Sequence, residues 1–145
     1  IAADMPAESI ATPATPNADL RHLDILIVED NLINQKVAAK MLSSWSHGIS
    51  IANHGQEALD LLHDRQFDLI LMDMQMPVMG GVDASRRIRE LEQASGLRHT
   101  PIIAMTANAT ETDRQACLDA GMDDYIAKPI PAAQLKAIIA SHSAA

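Results

Sequence analysis

The residues of this chain best suited to chemistry stand singly, each at the end of a short apolar run. In DLILMDMQMP, residues 68–77, the run from Leu69 to Met72 ends on Asp73. A carboxylate that closes a buried strand is costly to desolvate unless a cation meets it. Residues 26–28 (LIV) lead to Glu29 and Asp30, residues 102–105 (IIAM) to Thr106, and residues 125–127 (YIA) to Lys128 and Pro129. Brought together, three carboxylates repel one another unless positive charge is supplied. One divalent cation plus Lys128 brings the sum to zero. The candidate ligands are hard oxygens, and no His or Cys adjoins them in sequence. That points to Mg²⁺, with Mn²⁺ as the substitute, rather than Zn²⁺. In such a crevice Asp73 is placed as a nucleophile towards phosphorus. The metal and Lys128 would offset charge in the transition state, and Thr106 would hydrogen-bond the incoming phosphoryl oxygens.

Such a set converges only if the chain forms a particular sheet. The apolar runs at residues 24–28, 49–52, 69–72, 102–105 and 125–127 are short and lack a polar face, as buried parallel strands do. Helical periodicity falls between them, at 34–44, 55–63, 82–94, 111–120 and 131–142. In the first helix Val37, Ala38, Met41 and Leu42 are expected to face inward. Thr110 is an N-cap candidate with Asp113 three positions on, Gly121 ends that helix, and Pro131 suits a first turn. Five βα units read as an α/β, flavodoxin-like, doubly wound five-stranded parallel sheet of order 2-1-3-4-5, with helices on both faces. In that order the first and third strands are neighbours. Their carboxyl ends flank the topological switch point, where ligands bind. Glu29, Asp30 and Asp73 then meet, and Thr106 and Lys128 close the other side.

Bulk properties narrow the partners. The net charge is −8 over 145 residues, which argues against direct nucleic-acid binding. The single cysteine, Cys117, excludes an internal disulfide and a multi-thiolate metal site. The six histidines are scattered without metal spacing and read as surface residues. Asp123-Asp124 reads as a solvated turn. No apolar run approaches membrane-spanning length, so no membrane contact is expected. Aromatics are nearly absent, which leaves the core to Leu, Ile, Val, Met and Ala. Residues 1–21 are rich in Ala, Pro, Thr and Ser and do not begin with Met; they read as a flexible linker in a piece of a longer protein. Residues 22–142 are the expected domain and 143–145 a tail.

LIVEDN, DLILMDMQMP, IIAMTANA and AGMDDYIAKPI, in this order and spacing, resemble the receiver domain of two-component response regulators. The resemblance covers roughly residues 22–142. It implies that Glu29 and Asp30 are the acidic pair at the metal, Asp73 the phosphoacceptor, and the backbone carbonyl of Gln75 a further metal ligand. It makes Thr106 the switch hydroxyl, Tyr125 the switch aromatic and Lys128 the phosphate-binding lysine, with a cis Lys128–Pro129 bond. EDNLINQKVAAKML, through Asn31, Asn34 and Gln35, resembles receivers of hybrid sensor histidine kinases. That implies a cytoplasmic relay, in a parent protein anchored in the inner membrane. It would run from a histidine kinase domain to a histidine phosphotransfer domain. One departure is Gly80, where many members carry an acid; Gly80-Gly81 is expected to loosen that turn. The alternatives are a single-domain regulator acting by protein contact and a haloacid-dehalogenase-like phosphatase. The latter family needs a second acid two residues after its nucleophile, where Gln75 stands.

Overall fold

The computed structural model describes residues 22–76, 78–107 and 110–143. The expected linker, most of the expected tail, Pro77, Asn108 and Ala109 lie outside the described residues. The elements alternate as β1 (Asp24–Val28), α1 (Leu32–Ser44), β2 (Gly48–Ala52), α2 (Gly55–Asp64), β3 (Leu69–Asp73), α3 (Gly81–Ser95), β4 (Ile102–Thr106), α4 (Glu111–Asp119), β5 (Asp124–Ala127) and α5 (Ala132–Ser143). The strands are all parallel, in the order β2-β1-β3-β4-β5. Order and class are those expected from the sequence.

Strand pleating sorts the aliphatic residues into two layers. Leu26, Val28, Ile70, Met72 and Ala104 face α2, α3 and α4, meeting Ala58, Leu62, Ile88 and Cys117. Ile25, Ile27, Leu69, Leu71, Ile103 and Met105 face α1 and α5, meeting Ala38, Leu42, Leu135 and Ile139. The central strands are buried on both faces, so their sequences show no polar alternation. No helix among the described residues is long and apolar enough to cross a membrane.

Several boundaries differ from expectation, each for a local reason. Asp73 and Thr106 are the last residues of their strands rather than the first beyond them. Asp73 pairs in register with Met105, and the Lys128 amide donates to the Thr106 carbonyl at 2.7 Å. Helix α1 starts at Leu32 because the Asn31 side chain accepts from the amides of Ile33 and Asn34. Its inward stripe is Gln35, Ala38 and Leu42, and Val37 is turned out, 46% exposed. Pro131 precedes α5 and offers its carbonyl to the Leu135 amide. Asp123 is no solvated turn residue. It pairs with Arg89 at 2.8 Å and accepts from the Ile102 amide, tying α3 to the entry of β4.

His47 also departs from expectation, since it is buried. Its Nδ1 accepts from the Leu23 amide at 3.1 Å, which requires the proton on Nε2. That Nε2 is buried without a hydrogen-bond partner. Burial first, and the nearby charge of His22 second, lower its pKa below 6.5. Below about pH 6.5 the unfolded chain gains a proton here that the folded chain resists, so stability falls with pH in that window and is fully present above it. Thermal unfolding at pH 7.5 and 5.5 should show this loss. His47→Gln, whose amide oxygen can still accept from Leu23, should reduce it. An unchanged pH dependence would assign the loss to other groups.

Candidate functional site

The carboxyl ends of β1, β3, β4 and β5 open into one cavity of about 420 Å³, lined by Glu29, Asp30, Asp73, Gln75, Thr106 and Lys128 among others. The β1–β3 register sets Val28 beside Met72, so the acids that follow come side by side. Glu29, Asp30 and Asp73 each offer an oxygen within 4.8 Å of the others. Glu29 is 1% exposed and Asp73 5%, whereas Asp30 reaches solvent.

Lys128 comes in from β5. Its Nζ lies 3.0 Å from Asp73 Oδ1 and 2.9 Å from Glu29 Oε1. Burial alone would lower the Lys128 ammonium, but its bonds to Glu29 and Asp73 and their charges outweigh that and hold it above the ordinary lysine value. One ammonium against three carboxylates leaves a formal charge of about −2 in the crevice. Glu29 Oε1 is buried, and beyond its ion-pair contact with Lys128 it has no well-aligned hydrogen bond. An all-oxygen donor set with an unspent buried lone pair suits a hard divalent cation.

Backbone groups hold these acids in place. The Gln75 amide donates to Asp73 Oδ1 at 3.3 Å, and the Asn31 amide to Glu29 Oε2 at 3.1 Å. Thr106 is buried at the cavity wall, and its hydroxyl donates to Asp113 Oδ2 at 3.5 Å. The Lys128–Pro129 peptide is cis. Tyr125 does not line the cavity; it is half-buried against the core layer beneath α4.

Two participants escape a reading of the sequence for chemistry. Gln35, buried on α1, donates to the Glu29 carbonyl and, at 2.9 Å, to Asn53 Oδ1, which pins the end of β1 to that of β2. The available signal was a polar residue on the inward helical stripe. Asp113 reads as part of a helix cap, yet the cap uses its backbone amide, 3.1 Å from Thr110 Oγ1, and its carboxylate lines the cavity.

The family model of the response regulator receiver domain matches residues 25–140. Hybrid signal transduction histidine kinase M of Dictyostelium discoideum is 41% identical over 117 residues, covering 79% of this chain and 5% of the kinase. The chain thus spans a small part of the curated relatives it matches. Among solved structures, the receiver domain of sensor histidine kinase PA1611 from Pseudomonas aeruginosa PAO1, with magnesium coordinated in its active site cleft, is similar with a TM-score of 0.77 and 40% identity, covering 86% of this chain and 100% of that one. A co-crystal of the Saccharomyces cerevisiae histidine phosphotransfer protein Ypd1 with the receiver domain of its downstream response regulator Ssk1 gives a TM-score of 0.80 at 32% identity, covering 84% of this chain and 89% of that one.

The loop after Asp73 combines a tight approach with strain. A Cβ at Gly81 would lie 2.4 Å from the Asp73 carbonyl oxygen, so α3 starts against the backbone of the acid and only glycine fits. Gly80-Gly81 is therefore a close-packed start rather than a loosened turn. Val78, 79% exposed, has φ of +69°, a left-handed conformation unfavourable for a β-branched residue. Val78→Asn should relieve that strain and raise unfolding free energy by about 1 kcal/mol in urea titration. A loss of stability would show that the Val78 side chain has stabilising contacts.

Proposed function

The chain belongs to the response regulator receiver domain family, and we propose that it accepts a phosphoryl group on Asp73 from a phosphohistidine and passes it on in a relay. The observation that carries this reading is the Asp73 carboxylate, buried yet at a cavity wall, 3.0 Å from Lys128 and grouped with two more acids. A carboxylate oxygen of Asp73 attacks phosphorus in line with the P–N bond. The P–O bond forms as the P–N bond breaks, the electron pair leaves with the imidazole nitrogen, and Asp73 becomes an acyl phosphate. Glu29, Asp30, Asp73 and the Gln75 carbonyl would hold Mg²⁺, or Mn²⁺ in its place, and the ion would supply positive charge against the phosphoryl oxygens. Lys128 holds Asp73 in position and pairs with a phosphoryl oxygen. Thr106 turns its hydroxyl to another, Tyr125 fills the space released, and the surface around α4, β5 and α5 changes.

The donor and acceptor are proposed from the surface around the cavity. Leu32, Ile33 and Val37 on α1 and Val78 after β3 are exposed apolar residues on the elements that flank the site. They suit a helix that carries a histidine, bound over the strand ends. The hybrid-kinase relatives and the phosphotransfer co-crystal support a histidine kinase domain as donor and a histidine phosphotransfer domain as acceptor. In this reading residues 22–142 are a cytoplasmic relay unit, and 1–21 link it to an upstream domain.

Incubation with acetyl phosphate and Mg²⁺ should add one phosphoryl group to the intact mass, and none to Asp73→Asn. Labelling of Asp73→Asn to the same extent would overturn the assignment. Asp30→Ala should weaken Mg²⁺ binding in calorimetry more than Asp64→Ala does. Val37→Glu places a charge on the apolar face and should slow transfer from a partner phosphotransfer domain about tenfold relative to labelling by acetyl phosphate. Equal slowing of both would locate the effect in the site itself.

A further inference from the structure

We propose that Asp113 is a resting-state acceptor of the Thr106 hydroxyl, and that this tie between β4 and α4 tunes how readily the site takes a phosphoryl group. The inference rests on the phosphoacceptor reading given above and adds a positioning residue to it.

Three observations place the Asp113 carboxylate there. Thr106 Oγ1 donates to Asp113 Oδ2 at 3.5 Å, and both residues line the cavity that holds Asp73. The Thr110 hydroxyl caps the Asp113 backbone amide, and the Asp113 side chain stands on the cavity side of the helix start. One turn along the same inner face of α4, Cys117 places its Sγ 3.5 Å from Met74 Sδ, next in sequence to Asp73. Burial and, after it, the Asp113 charge raise the Cys117 thiol, which agrees with an acid directed inward. A single face of α4 therefore meets both the hydroxyl of β4 and the residue after the phosphoacceptor.

The consequence follows from donor arithmetic. A threonine hydroxyl has one proton to donate. To hydrogen-bond a phosphoryl oxygen at Asp73 it must leave Asp113, and the carboxylate left behind repels the arriving negative charge. Asp113 thus opposes the phosphorylated arrangement, and its release frees the first turn of α4 from β4. The strength of the opposition is at most that of one long hydrogen bond plus a partly screened charge.

The test uses the whole domain and two variants, Asp113→Ala and Asp113→Asn. In the absence of any ligand, scalar couplings and the methyl signal of Thr106 report its side-chain rotamer. Asp113→Ala should redistribute that rotamer. With Mg²⁺ present, beryllofluoride titrated by NMR should bind Asp113→Ala about threefold to tenfold more tightly than wild type, with Asp113→Asn in between. In a Thr106→Val background the Asp113→Ala gain should largely disappear. An unchanged Thr106 rotamer in free Asp113→Ala would overturn the proposal. So would a gain of the same size without the hydroxyl, which would reduce Asp113 to a through-space charge. Failure of wild type to bind beryllofluoride would count against the phosphoacceptor reading, while the ligand-free rotamer would still decide the role of Asp113.

Discussion

Lys128 makes it possible for two carboxylates to sit at the end of a buried sheet. Removing a carboxylate from water costs on the order of several kcal/mol unless a partner of opposite charge compensates. The Lys128 ammonium touches Glu29 and Asp73 together and is itself held protonated by them. That contact makes demands on the rest of the fold. Lys128 follows β5, two strands from β3, a lateral distance of about 10 Å at ordinary strand spacing. Its stem has to pass the end of β4, where Thr106 and Ala107 are small enough to leave room. A bulkier residue at either place would separate the charges it has to bridge.

The opposite end of the sheet is fastened by a separate ionic group. Arg89 donates to Glu92, Asp123 and the carbonyls of Thr100 and Gly121, and Glu92 and Asp123 accept the amides of Thr100 and Ile102. Charge-assisted bonds of this kind are directional and strong where they are shielded. They fix α3 and the turn into β5 against the entry of β4. The strand that carries Thr106 is therefore anchored at its start by ionic contacts, and at its end by backbone bonds from Met74 and Lys128. Between the two poles the core is almost wholly aliphatic, and it transmits position through close packing rather than through polar networks.

The site is legible in the sequence because each of its residues follows an uninterrupted apolar run. Parallel strands buried on both faces give such runs, and the connection rules bring their carboxyl ends together. That is why Glu29, Asp30, Asp73, Thr106 and Lys128 can be grouped before any coordinates exist. Periodicity specifies that a helix has an inner stripe but sets its rotation only to within about one residue. Val37 is misplaced for this reason: the polar Gln35 occupies an inner position and the apolar Val37 an outer one. His47 and Asp113 are hidden by a different cause. The burial of His47 depends on contact with Leu23, distant in sequence, and the Asp113 carboxylate meets Thr106 only once α4 lies against β4; neither residue type announces it. Gly81 announces itself as a glycine, but its purpose, contact with the backbone of Asp73, exists only in three dimensions.

Trp45, the one tryptophan, caps the C-terminal end of α1 and packs, as Ile49 and Ile138 do, against the core layer under α1 and α5, with Lys136 Nζ 5.9 Å from its ring centroid. Helix α1 has 13 residues, so the indole stands about 20 Å along the helix axis from the residues that border the acidic cavity. The chain's intrinsic emission consequently comes from the pole remote from its chemistry. It monitors whether α1 and α5 remain packed, and a cation or phosphoryl group arriving at Asp73 alters it only by moving that packing. For optical work the domain carries a built-in gauge of its α1–α5 packing, and reading the site itself by light calls for a fluorophore placed at the other end.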